Sequence, residues 1–256
     1  MKWQIIAGTS LIVVLILVNL YVWDIWSFEG ENQQILQIRK KFLPRMLRRG
    51  PLVLRKENFK QLSGYQQYVT PADPAVQSIA STLSSPQEAY QVAVQWVWVS
   101  DQTLHGVQEK WLTPHEFLTQ TPNYPTNPVP GRVVSDCESQ AYTLVSILRS
   151  MGIPATDVRV VVGEVNFSGQ IGGHAWVEIM DGTKWLQLEA TSGPYWDDEE
   201  AKLYDSPGYP YGYFRKHKYP GLEVWAYFND VYYYNPSTGQ GNAPASWRQL
   251  SAVSPA

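Results

Sequence analysis

The chain holds a single cysteine, Cys137, in the stretch SDCESQ. A cysteine attacks carbonyl carbon as the thiolate, and it needs a base to take its proton and a third group to orient that base. Four histidines could serve. His105 and His115 flank helix-like segments and read as surface or capping residues, and His217 sits in the charged run RKHKY. His174 differs, because it follows Gly172 and Gly173 and opens the strand-like run HAWVEIM. The acids that could orient it are Glu178 and Glu189; Asp197 and Asp198 fall in a later loop.

The elements that must position these residues can be read from their spacing. Ser135 and Glu138 have the S-x-x-E spacing of a capping box, which makes Cys137 the second residue of a helix. Ala141, Leu144, Val145 and Leu148 form its apolar stripe, and Gly152 with Pro154 ends it. The positive end of the helix dipole favours thiolate and lowers the thiol pKa below about 8.5. Asp136 and Glu138 push the other way. Alone, such a cysteine is commonly a small buried hydrophobe. For the base, an Asp181-Gly182 turn between two apolar runs predicts a hairpin. That register sets Met180 opposite Thr183, Glu178 opposite Trp185, Trp176 opposite Gln187 and His174 opposite Glu189. Directly paired residues share a face with Cβ atoms about 5 Å apart, so Glu189 is the acid expected beside His174. Glu178 lies two positions along the strand, roughly 6–7 Å away.

Upstream, three devices start helices. Asp73-Pro74, Ser85-Pro86 with Glu88, and Thr113-Pro114 with Glu116 each place a cap before a proline at the first helical position. After Ser85, the residues Ala89, Val92, Ala93, Trp96 and Val97 keep helical spacing, with Trp98 and Val99 widening the buried face. From Val158 the period changes to that of strands. Helices first and an antiparallel sheet second predict an α+β fold. Residues 195–256 form an aromatic-rich extension, read as further strands packed on that sheet.

Residues 3–23 carry no charge and would make roughly 31 Å of helix, about one hydrocarbon core. Tyr21, Trp23 and Trp26 would form an interfacial belt, and no small-x-small cleavage site follows. We therefore expect residues 1–26 to be a single transmembrane anchor, residues 27–70 a basic juxtamembrane stalk and residues 71–194 the catalytic core. Arg39, Lys40 and Lys41 favour a cytoplasmic domain, whereas the short N-terminal tail is that of a signal-anchor with the domain outside. The extracytoplasmic side is the expectation carried forward. A net charge of −3 and a pI near 5.8 give no reason to expect nucleic acid as a partner. One cysteine excludes an intrachain disulfide framework and a multi-cysteine zinc site.

SDCESQAYTLVSILRSMGIPATDVRVVVG followed by GGHAWVEIMDGTKWLQLEAT resembles the core of the transglutaminase-like superfamily, and WVSDQT…EKWLTPHEFL resembles the helical lead-in of its microbial members. The resemblance covers residues 85–192. It implies a papain-like α+β core, with the Cys-bearing helix packed on an antiparallel sheet. It also implies Cys137 as nucleophile, His174 as general base and acid, and Glu189 as the orienting acid. The family usually has Asp-Pro-Thr where this chain has Glu189-Ala190-Thr191. An indole N–H of Trp96 or Trp98 is the implied oxyanion partner. The implied activity is attack on protein or peptide amides through a thioester, with hydrolysis favoured over cross-linking and no metal or organic cofactor. The alternative is a non-catalytic binding or scaffold domain of the same fold.

Overall fold

The structure, a computed structural model, describes residues 64–248. The apolar segment, the basic stalk up to residue 63 and the last eight residues lie outside the described residues. Among the described residues, no helix is long and apolar enough to cross a membrane.

Among the described residues, five α-helices precede the main sheet: α1 (Pro74–Ala80), α2 (Pro86–Ala93), α3 (Asp101–His105), α4 (Pro114–Thr119) and α5 (Cys137–Ser150). Their starts follow the caps in the sequence. Asp73 accepts from the Ala75 and Val76 N–H groups, and Ser85 from Glu88 N–H. Thr113 and Glu116 complete a reciprocal capping box. Each leaves fewer orphan donors in the first turn. At the other end of α5, Gly152 takes a left-handed φ of 91°, and Ile153 N–H donates to the Leu148 carbonyl at 3.1 Å. This is the Schellman closure that a glycine after the last turn permits.

The main sheet has six antiparallel strands. They are β3 (Val158–Phe167), β4 (Gln170–Asp181), β5 (Lys184–Leu188), β8 (Gly221–Phe228), β9 (Tyr233–Asn235) and β10 (Gln240–Gly241), in the order β10-β9-β8-β3-β4-β5. Ser168 and Gly169, both at positive φ, turn β3 into β4. Both faces of β3 and β4 are buried. Val160, Val162 and Val177 lie on one face, and Arg159, Val161, Trp176 and Glu178 on the other. Helix α5 packs across these two strands, and α1, α2 and α4 pack against α5.

Two expectations are corrected. The apolar run after α2 leaves the helix at Ala93, and Val97–Trp98 becomes a strand, β1. A short apolar run rich in valine and tryptophan suits either element by periodicity alone. Strand β1 lies parallel to β2 (Val134–Ser135) and to β6 (Tyr195–Asp197), and β7 (Lys202–Tyr204) completes this second, four-stranded sheet. The fold is thus α+β with one antiparallel and one mixed sheet. The hairpin register is also two residues from the expected one. Asp181 pairs with Lys184 and Glu178 with Gln187, so Gly182 and Thr183 make the turn. Gly182 takes φ 63°, the left-handed conformation that a tight hairpin turn demands.

Glu178 has its own partner. Arg159 donates through Nε and one terminal nitrogen to Glu178 Oε2 at 2.8 and 2.7 Å, and Gln187 donates to Oε1 at 3.1 Å. The guanidinium lies 3.8 Å from the Trp185 and Tyr227 ring centres and also bonds the Trp247 carbonyl. A fully buried charge that loses its partner is costly. Glu178→Ala should therefore lower stability by about 3–5 kcal/mol in urea unfolding. A loss below about 1 kcal/mol, the range of an exposed pair, would show that Arg159 is not held by this contact.

Candidate functional site

Cys137 is the first residue of α5, one position earlier in the helix than expected. Ser135 does not cap it, because β2 uses Ser135 to pair with Trp98 of β1. Asp136 takes the cap position in extended conformation without making a side-chain cap bond. The sulfur sits against β4. Strand β5 stops at Leu188, opposite Val177, which leaves the 174–176 edge of β4 uncovered by that strand. There the Ala175 backbone N–H faces Cys137 and favours its thiolate. The thiol is therefore beside the peptide that joins His174 to Ala175.

His174 Nε2 lies 2.8 Å from Glu189 Oε2, with both side chains buried. The two-residue register slip keeps side-chain parity, so the pair survives it. Glu189 lies just past the end of β5, where it caps the 3-10 turn Ala190–Ser192. Its Oε1 accepts from Thr191 Oγ1 at 2.6 Å and Thr191 N–H at 3.2 Å. Its Oε2 accepts from the Tyr219 hydroxyl at 2.7 Å. Burial pushes the carboxyl pKa up, but His174 and the bonds from Thr191 and Tyr219 outweigh this and hold it below the ordinary value. An ionised carboxylate at Nε2 selects the tautomer with the proton on that nitrogen and leaves Nδ1 as the basic atom. Phe167 meets the imidazole edge-on at 5.7 Å, and Trp176 lies nearly parallel to it at 6.5 Å.

The thiol departs from expectation. Burial pushes the Cys137 pKa well above its usual value, and the Asp136 charge adds to this, while the Ala175 N–H works the other way. Burial, followed by the Asp136 carboxylate, thus outweighs what favours the thiolate. Cys137 also donates to Glu138 Oε2 at 3.5 Å. Of the two tryptophans, Trp96 packs edge-on against Phe117 at 5.0 Å, and Trp98 lies in β1 beside Ser135.

An acid cluster that the sequence does not reveal lies around Cys137. Asp101 of α3, Asp136 and Glu138 bring carboxylate oxygens within 4.8 Å of one another, all buried. Asp101 Oδ1, Asp136 Oδ1 and Glu138 Oε1 have no hydrogen-bond partner. His105, expected at the surface, has a buried side chain 3.8 Å from Asp101. The D-C-E triplet was visible as a signal, but Asp101 joins it only through the β1–β2 pairing. Two ligands on opposite sides of a calcium ion at about 2.4 Å lie about 4.8 Å apart, and calcium takes oxygen donors. The three carboxylates fit such a cation.

Residues 76–190 match the family model described as the Transglutaminase-like superfamily. The chain carries a transglutaminase-like superfamily domain. Three solved structures are similar at low identity. Legionella pneumophila LapG in its calcium-bound form has 14% identity and a TM-score of 0.40, covering 67% of this chain and 93% of its own. The EGTA-treated form gives 13%, 0.40, 67% and 91%. A candidate cysteine protease from Cytophaga hutchinsonii gives 14%, 0.35, 53% and 41%. No curated protein matches the sequence significantly.

Without a cation, the acid cluster should mark the pH dependence of stability. Burial raises Asp101 to about 8, and burial with mutual repulsion raises Asp136 and Glu138 well above the carboxylate range. A folded-state pKa above the unfolded one means that the folded chain binds more protons, so stability falls as pH rises between the two. Buried His105, pushed down to about 4, acts oppositely but only below 6.5. Glu189, lowered, acts only at or below its ordinary pKa of about 4.3. In chelator, the melting temperature should therefore fall from pH 6.5 to 8, and fall less in Asp101→Asn. A rise over that window in wild type would contradict this electrostatic account.

Proposed function

We propose that this protein is a cysteine-dependent amide hydrolase acting on protein or peptide amides. The observation that carries the proposal is the bond from His174 to an ionised, fully satisfied Glu189, with Cys137 held against the adjoining peptide of β4. In this reading, His174 takes the Cys137 proton and the sulfur bonds the amide carbon. The carbon–nitrogen bond then breaks as His174 returns the proton to the departing amine. Water, deprotonated by His174, cleaves the thioester to release the carboxylic acid and the thiol. The Ala175 N–H steadies the sulfur, and Glu189 supports the imidazolium. The segment at residues 3–23 would tether the domain to a membrane on its extracytoplasmic side.

Asp101, Asp136 and Glu138 would hold a divalent cation, with calcium the best match to their oxygen donors. When bound, the cation supplies positive charge beside a nucleophile otherwise flanked by acids. One observation favours the second reading, a non-catalytic scaffold: the thiol is buried and pushed towards its protonated form.

One experiment separates these readings and a second tests the cation site. A peptide library incubated with the full chain and calcium should yield cleaved products by mass spectrometry. His174→Ala should slow cleavage by about 10²–10⁴-fold, and Cys137→Ala should abolish it. Products equal in wild type and Cys137→Ala would reject the enzyme reading. Separately, calcium at about 100 times its Kd should stabilise the fold by ~2.7 kcal/mol relative to EGTA. Asp136→Asn should remove most of that response, and an unresponsive wild type would reject the cation site.

A further inference from the structure

Tyr219 lies beyond residues 76–190, between a 3-10 turn at Tyr213–Arg215 and the start of β8. It is fully buried. Its hydroxyl donates to Glu189 Oε2 at 2.7 Å, the same oxygen that bonds His174 Nε2 at 2.8 Å. Thr191 holds only the other oxygen. The Tyr219 ring is wedged against Trp176 at 4.9 Å and Phe214 at 4.9 Å, with Phe167 at 6.2 Å. Trp176 and Phe167 are also the two rings around His174. The Asn166 N–H donates to the Pro220 carbonyl at 2.8 Å, which pins the chain beside Tyr219 to β3. Tyr219 thus meets His174 by two routes, through the acid and through the aromatic wall.

The need for such a donor follows from the acid itself. Glutamate has one more rotatable bond than aspartate, and a free rotor spreads the carboxylate over several positions. Thr191 fixes Oε1 but leaves rotation about that bond open. A second anchor on Oε2 closes it. Burial, followed by the Glu189 charge, pushes the Tyr219 hydroxyl well above its ordinary pKa, so it remains a donor. Other titratable groups face Glu189: Tyr90 reaches its carbonyl from α2 at 3.2 Å, and Cys137 lies across the site.

On the reading that Cys137, His174 and Glu189 form a working triad, we propose that Tyr219 is its positioning residue. It locks Glu189 Oε2 towards His174 and makes the aromatic extension after residue 194 part of the active site.

The test uses the full chain with Tyr219→Phe, which keeps the ring and removes the donor. Two quantities are read in calcium-containing buffer: the rate of Cys137 alkylation by iodoacetamide, and the imidazole ¹H–¹⁵N resonances of ¹⁵N-histidine-labelled protein. Loss of a hydrogen bond to a charged group should slow alkylation about ten-fold or more. The His174 Nε2–H resonance should move in Tyr219→Phe. In a Glu189→Gln background, where no charged acid remains to be positioned, Tyr219→Phe should change the rate by less than about two-fold. Equal fractional losses in both backgrounds, or an unmoved His174 resonance, would reduce Tyr219 to packing and overturn the proposal. A wild-type thiol that reacts no faster than glutathione would defeat the triad reading instead. The resonance shift would still decide whether Tyr219 positions the Glu189–His174 pair.

Discussion

The carboxylate of Glu189 is the point on which the site depends. It is buried, and a buried charge is tolerated only when its lone pairs are satisfied. Here the donors come from three parts of the chain: His174 on β4, Thr191 in the turn after β5, and Tyr219 before β8. The early end of β5 makes this possible. It frees Glu189 to curl into a capping position and leaves the Ala175 N–H of β4 for the thiol. Gly163, paired with His174 on β3, lets β8 come close behind the site. A Cβ there would lie 2.1 Å from the Glu223 carbonyl oxygen.

On the other side of Cys137 the electrostatics run against reactivity. The helix N-terminus and the Ala175 N–H favour thiolate, while burial and Asp136 favour thiol. Asp101, Asp136 and Glu138 are not gathered beside Cys137 for stability, since each is buried with an oxygen lacking a hydrogen-bond partner. Their cost makes sense if a cation is the missing partner. The same three carboxylates would then serve as the ligands of that cation.

Much of this was legible in the sequence, for reasons that differ by element. Caps at Asp73, Ser85 and Thr113, and the glycine at 152, act within one helical turn, so local spacing reveals them. The His174–Glu189 contact could be anticipated although the turn was placed one residue early, because a two-residue slip returns each side chain to the same face. Strand β1 was misread as helix because Val97 and Trp98 sit in an apolar run with no periodicity to separate the two. Ser135 was misread as a cap because its strand pairing with Trp98 is non-local. Asp101 and Tyr219 were missed for one common reason. Each reaches the site through sheet topology, and nothing nearby in sequence distinguishes Tyr219 from the other 15 tyrosines.

The central claim is that Cys137 carries an acyl group drawn from an amide and that His174 and Glu189 make this possible. Acid quenching of the full chain during turnover of a cleaved peptide, followed by intact mass spectrometry, tests it most directly. The account predicts an adduct on Cys137 with the mass of the peptide's acyl portion, present in wild type, diminished in Glu189→Gln and absent in His174→Ala. Peptide cleavage with no adduct on Cys137 at any quench time, and with undiminished rate in His174→Ala, would contradict it.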